Sequence, residues 1–272
     1  MEFSPCPGGE KKRAEISLAI PEIVGIIYLA RYKIFRLLPA RRAETAKIRQ
    51  SAKRGKVMAK IKKMSLVDQI YSRLREDIIT LKLPLGTRLN VNELQSDLGV
   101  SCTPIREAVN RLQQEELVVC ENNVGARVLT LDEHDVREIN ELALTLQQAA
   151  VRLAMENSGR EELLREVDEQ LERFRAARGP RESVKAVHDL IGVFYRRCGN
   201  RRLDRSMIAI QGQMLLLRYI YAECSGTGDR LEELGRMRDG VAHGSVDGIC
   251  AALRDYADKT TPAILGWLKE HG

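Results

Sequence analysis

Apolar residues in the middle of the chain recur at helical spacing in short runs, each stopped by a turn residue. Val67, Ile70, Tyr71, Leu74, Ile78 and Leu81 fall on one face, predicting a helix over 66–81 that Leu83-Pro-Leu-Gly86 breaks. Two shorter helices follow. Leu94 and Leu98 give the first a narrow stripe, with Asn92 as N-cap and Gly99 as a left-handed stop. Thr103 is the expected N-cap of the second, with Pro104 at its first position, where the missing N–H is not needed. Ile105, Ala108, Val109 and Leu112 repeat at i, i+3, i+4, i+7 and face a core. Ser101, Cys102, Arg106, Asn110 and Gln113 are left on or near the other side. Two β-prone runs, 117–120 and 126–129, flank Glu121-Asn-Asn-Val-Gly125 and predict a hairpin.

Beyond the hairpin the period is helical throughout. Thr130 is the expected cap of a long helix over roughly 131–157, with Val136, Ile139, Ala143, Leu146, Ala150 and Leu153 inward. Gly159 separates it from a charged amphipathic helix ending near Ala177, and Gly179-Pro180 punctuates. Further helices are expected at about 182–198, 201–224, 229–243 and 245–271. Six amphipathic helices with short loops make a bundle, so the chain is mainly α.

A short helix, a glycine turn and a second helix with a polar exposed face form the helix-turn-helix pattern, and a hairpin directly behind it is a wing. In that motif the N-terminal residues of the second helix reach base edges in the major groove. Ser101, Thr103 and Arg106 are therefore candidate DNA contacts. Arg73 and Arg75 are candidates for phosphate contact or for a solvated face. An ordinary αα-hairpin packed on a β-ribbon would give the same pattern.

The net charge of +6 does not by itself support nucleic-acid binding, because the basic excess lies in residues 1–63. Residues 64–131 hold 7 basic and 9 acidic groups, so the case rests on the placement of a few arginines. Residues 1–63 read as an extra N-terminal segment, disordered or upstream of a true start at Met58 or Met64. A mobile basic arm and an export or membrane signal are the alternatives. The apolar run from Ile16 to Ala30 contains Pro21 and Glu22 and is shorter than the roughly 20 residues a bilayer span needs. Residues 64–131 then form a winged helix and 132–272 a helical domain. The six cysteines show no close pair and no metal-like spacing, and read as reduced, mostly buried thiols.

This order of parts resembles the GntR family of bacterial winged-helix regulators, in the subgroup whose effector domain is the helical FCD bundle. The carriers are Ile78-Ile-Thr-Leu-Lys-Leu-Pro-Leu-Gly86, the run from Leu98 to Ala108, Gly125 in the wing, and Cys198-Gly-Asn-Arg-Arg-Leu203. The resemblance implies a cytoplasmic homodimer on a pseudo-palindromic operator, responding to a small metabolite in the bundle. It also implies that Asn92, Cys102 and Gly125 face DNA. The family usually has Arg at Cys102 and often at Asn92; a thiol cannot read guanine bidentately, so the operator preference is expected to be altered or weakened.

FCD domains commonly bind a divalent metal through one Asp and three His. Counting from Gly199-Asn200 and from Leu253, those positions fall on Val187, Ile191, Leu234 and Tyr256. The arginine and glutamate that often line the pocket fall on Ala143 and Gln147. The resemblance therefore implies a metal-free pocket and an effector less polar than a hydroxy acid. His188 and His243 read as surface or satisfied histidines. A bundle that only dimerises, with no effector, is the alternative. There is no nucleophile–base pair, Gly-rich phosphate loop or paired carboxylate set, so no cofactor and no catalytic residue is expected.

Overall fold

The computed structural model describes residues 64–121, 125–225 and 230–271. Residues 1–63, with the apolar run and the candidate start Met58, lie outside the described residues. The helix α1 (Leu66–Ile79) opens on a capping box, in which the Asp68 N–H donates to Ser65 Oγ at 3.1 Å and Asp68 accepts from the Ser65 N–H. It ends two residues earlier than the spacing suggests. Leu81 adopts φ 57 and turns the chain, its N–H donating to the Ile78 carbonyl. A left-handed leucine costs on the order of 1 kcal/mol, offset by packing of its side chain against the core.

The strand β1 (Arg88–Leu89) leads into α2 (Val91–Leu98) and α3 (Cys102–Gln114). The hairpin strands β2 (Val118–Glu121) and β3 (Gly125–Val128) pair antiparallel, and β1 adds to the outer side of β3 with Leu89 opposite Ala126. Two N-caps differ from the sequence expectation. Asn90, not Asn92, caps α2, accepting the Asn92 N–H at 3.0 Å. The helix α3 begins at Cys102 after Ser101, one residue before the expected cap Thr103, so Pro104 is its third residue. At its far end Glu116 takes φ 55, with its N–H donating to the Gln113 carbonyl and that of Leu117 to Leu112. This is a Schellman turn built without glycine.

The bundle comprises α4 (Glu133–Asn157), α5 (Arg160–Ala176), α6 (Pro180–Arg197), α7 (Arg201–Ser225), α8 (Leu231–His243) and α9 (Val246–His271). Asp132 rather than Thr130 caps α4, in a second capping box with Asp135. The inward face of α4 is rotated slightly from the predicted one: Leu146 and Leu153 are only half-buried, and Gln147, Val151 and Ala154 are buried. Of the described thiols only Cys198 and Cys250 are buried; Cys120 and Cys224 are exposed, because each falls on the outer side of its element. No described helix is long and apolar enough to cross a membrane.

The winged helix packs on the bundle at the corner behind α3. Glu115 is buried there; it accepts from the Tyr71 hydroxyl and pairs with Arg75 at 2.8 Å. Gln213 on α7 donates to Glu116 at 3.3 Å. Gly212 lets the two surfaces meet: a Cβ there would lie 2.9 Å from Leu117 Cδ1 and 3.3 Å from Glu115 Oε2. Leu117 is fully buried and has nowhere to retreat. Gly212→Val should therefore destabilise the protein by about 1–3 kcal/mol, read from urea midpoints; an unchanged midpoint would mean that the corner is loose.

Candidate functional site

The first candidate surface is the outer face of α3. Its inner stripe of Ile105, Ala108, Val109 and Leu112 is buried, which fixes Thr103, Arg106, Asn110 and Gln113 outward. Ser101 makes no side-chain capping bond, so the N–H groups of Cys102 and Thr103 lack an intrahelical acceptor. Such a terminus is suited to a phosphate. Arg106 is exposed, and no ion pair holds it among the described residues. Of the other arginines of this domain, Arg88 is likewise exposed and outside any ion pair among the described residues, and the remaining four are held. Arg75 is taken by Glu115, Arg111 by Asp68 at 2.7 Å with its guanidinium over Tyr71, Arg73 by Asp77 at 3.9 Å, and Arg127 donates to the Gly86 carbonyl. Arg75 is thus structural rather than a phosphate contact.

Cys102 is half-buried, and its thiol donates to Gln95 Oε1 of α2 at 2.7 Å. The side chain leans back across the turn between the helices. Asn92 is exposed, and with Asn90 supplying the cap its amide is not used for that purpose. Gly125 opens β3 with φ 101, a conformation that L side chains rarely adopt.

The second candidate site lies inside the bundle. Ala143, Gln147, Val187, Ile191, Leu234 and Tyr256 are all buried, drawn from α4, α6, α8 and α9. Three hydrocarbon side chains and one phenol do not suit a divalent cation. Among the described residues no group of three His, Cys, Asp or Glu could hold a metal. His188 is turned toward α7: its Nδ1 lies 3.2 Å from Arg218 and its Nε2 2.8 Å from Gln211. Since Arg218 can only donate, Nδ1 accepts, Nε2 carries the proton, and Gln211 must present its amide oxygen. Burial, reinforced by the Arg218 charge, pushes the His188 pKa down to about 3. His243 is exposed and bonds the Asp239 carbonyl.

Two buried arginines complete this interior, and counting the family's metal positions does not find them. Arg218 on α7 is 3% exposed and Arg230, just before α8, is 0% exposed. Arg230 donates to Ser183 Oγ at 3.1 Å and lies over the rings of Phe174 and Tyr221 at 5.6 and 5.3 Å. Arg218 sits in the apolar run Met214-Leu-Leu-Leu-Arg-Tyr-Ile220, and that placement was the available signal.

The His188 geometry carries a pH dependence. The folded state requires a neutral ring, whereas the unfolded chain protonates near the ordinary value of 6.5. The stability involved is full above pH 6.5 and is lost as pH falls toward about 3. On acidification from neutrality, wild type should lose more stability than His188→Gln. Parallel losses in the two proteins would contradict a neutral His188 in the folded state.

The comparisons with known proteins agree with this geometry. The model of bacterial regulatory proteins of the gntR family matches residues 66–128, and that of the FCD domain residues 138–259. The HTH-type transcriptional regulator YdhC of Bacillus subtilis is 32% identical over 121 residues, 44% of this chain and 50% of its own length. The regulator McbR of Escherichia coli is 30% identical over 141 residues, 50% of this chain and 63% of its own. The chain thus spans about half the length of these curated relatives. In fold it is similar to the solved E. coli McbR/YncC, with TM-score 0.64 and 22% identity over 75% of this chain and 99% of that one. Winged helix and bundle are matched in succession, and the chain belongs to the GntR family of bacterial regulatory proteins, with an FCD domain behind its winged helix.

Proposed function

We propose that the chain is a DNA-binding transcriptional regulator, working in the cytoplasm as a homodimer on a pseudo-palindromic operator. Residues 64–131 read the DNA, and residues 132–272 dimerise and receive a small-molecule effector. The observation that carries this reading is Arg106. It stands exposed and unpaired on the first turns of a helix whose other face is locked into a core, beside two backbone N–H groups without acceptors. That arrangement supplies a base-reading guanidinium and a phosphate anchor together. Ser101 and Thr103 lie on the same first turns, Asn92 is exposed at the start of α2, and Gly125 shapes the wing that would follow the backbone. The hydrocarbon lining from Ala143, Val187, Ile191 and Leu234 favours an effector less polar than a hydroxy acid.

An operator obtained by selection from random duplexes gives the test. Arg106→Ala should weaken binding to it by about 1–3 kcal/mol at fixed salt. An unchanged gel-shift titration would remove α3 from the groove. Cys102→Arg should bind more tightly and select a shifted consensus; the same consensus from both proteins would mean that position 102 does not face bases.

A further inference from the structure

The interior of the bundle holds more positive charge than its surroundings neutralise. Arg218 donates Nη1 to His188, a neutral partner, and its Nε and Nη2 have no hydrogen-bond acceptor. Arg230 donates Nη2 to Ser183, and its Nε and Nη1 have none. Among the described residues no carboxylate lies within 4.0 Å of either guanidinium. Besides burial, the groups acting on Arg218 are the phenol of Tyr256, which lies within bonding reach of the guanidinium, the phenol of Tyr195 and the like charge of Arg230. The Tyr195 phenol oxygen is buried without a partner, and that of Tyr256 makes no well-aligned hydrogen bond. Glu233, the buried acid one turn beyond Arg230, is paired with Lys259 at 3.1 Å instead.

This arrangement is expensive as a purely structural one. A histidine or lysine relieves burial by shedding its proton, as His188 does, but a guanidinium stays charged at any ordinary pH. An uncompensated buried ion is strongly destabilising, and here two of the same sign share one interior. The free edges are also directional. Nε and Nη2 of Arg218 are the side-on fork of the guanidinium, the pair of donors that grips both oxygens of a carboxylate. Tyr256, which neighbours that fork, stands at one of the four positions where the family's domain usually places a metal ligand.

We propose that Arg218 and Arg230 together bind the carboxylate head of an otherwise apolar organic acid, a guanidinium pair serving where the family commonly uses a metal ion. The inference rests on the reading of residues 132–272 as an effector domain and names the effector's class. Arg218 takes the carboxylate side-on, Arg230 adds a second charge, and Tyr256 and Tyr195 donate to its outer lone pairs. Val187, Ile191 and Leu234 receive the hydrocarbon body. No metal is required.

The test uses the full-length protein in chelator-treated, low-salt buffer. Melting temperature is followed against benzoate and hexanoate, their neutral amides benzamide and hexanamide, and inorganic phosphate. Benzoate or hexanoate should raise the melting temperature progressively with concentration, and the amides and phosphate should not. Arg218→Met should abolish the response or weaken it at least about tenfold. The same variant should melt at or above the wild-type temperature without ligand, because a buried charge has been replaced by a hydrocarbon of similar reach. Arg230→Met should likewise weaken the carboxylate response.

A marked drop in the melting temperature of ligand-free Arg218→Met would make the arginine a structural element and overturn the proposal. So would phosphate acting as strongly as the carboxylates, or no response to either acid. Equal shifts by acids and amides, surviving in both variants, would overturn the arginine site while leaving an effector domain in place.

Discussion

The buried carboxylate of Glu115 is the contact on which the two halves of the described chain depend. It ends the helix α3, accepts from Tyr71, pairs with Arg75 and lies against α7 at Gly212. Removing Arg75 would take the cation from a buried carboxylate, which is more costly than losing an exposed pair. The recognition helix therefore cannot shift independently of α1 on one side and α7 on the other. A glycine at 212 and a left-handed Glu116 are the backbone concessions that let the three elements meet.

The same helix α7 carries the interior charge. Arg218 bonds His188, His188 bonds Gln211, and Gln211 immediately precedes Gly212. Nearly two turns of helix thus separate the proposed anion fork from the corner that holds α3. The contact route is continuous and made of hydrogen-bonded groups rather than fluid hydrocarbon. Whatever draws the Arg218 guanidinium toward a ligand also alters its bond to His188, and coupling follows if the two arrangements differ in how they seat the corner.

Much of this was legible in the sequence. The stripe Ile105, Ala108, Val109, Leu112 set which face of α3 is outward, and the helical period after residue 130 gave the bundle. Helix ends were less legible. Asn90 and Asn92 are equally able caps, and the choice falls on whichever residue the preceding turn leaves extended. Ser101 prevails over Thr103 for the same reason, and Asp132 over Thr130. The two-residue strand β1 is too short to show an alternation. The buried arginines were missed because arginine in an amphipathic helix ordinarily snorkels to the surface. A helix apolar on nearly every side admits no surface, and the run around Arg218 is of that kind.

The account holds that occupancy of the bundle and grip on DNA are one equilibrium. Linkage makes this measurable without knowing the natural effector. Affinity for the selected operator is titrated with and without a carboxylate shown to bind, and affinity for that carboxylate is titrated with and without operator. The account predicts that each ligand changes the affinity of the other by the same factor, in the same direction, and that Arg218→Met abolishes both changes. Operator affinity indifferent to a carboxylate that demonstrably occupies the bundle would contradict it.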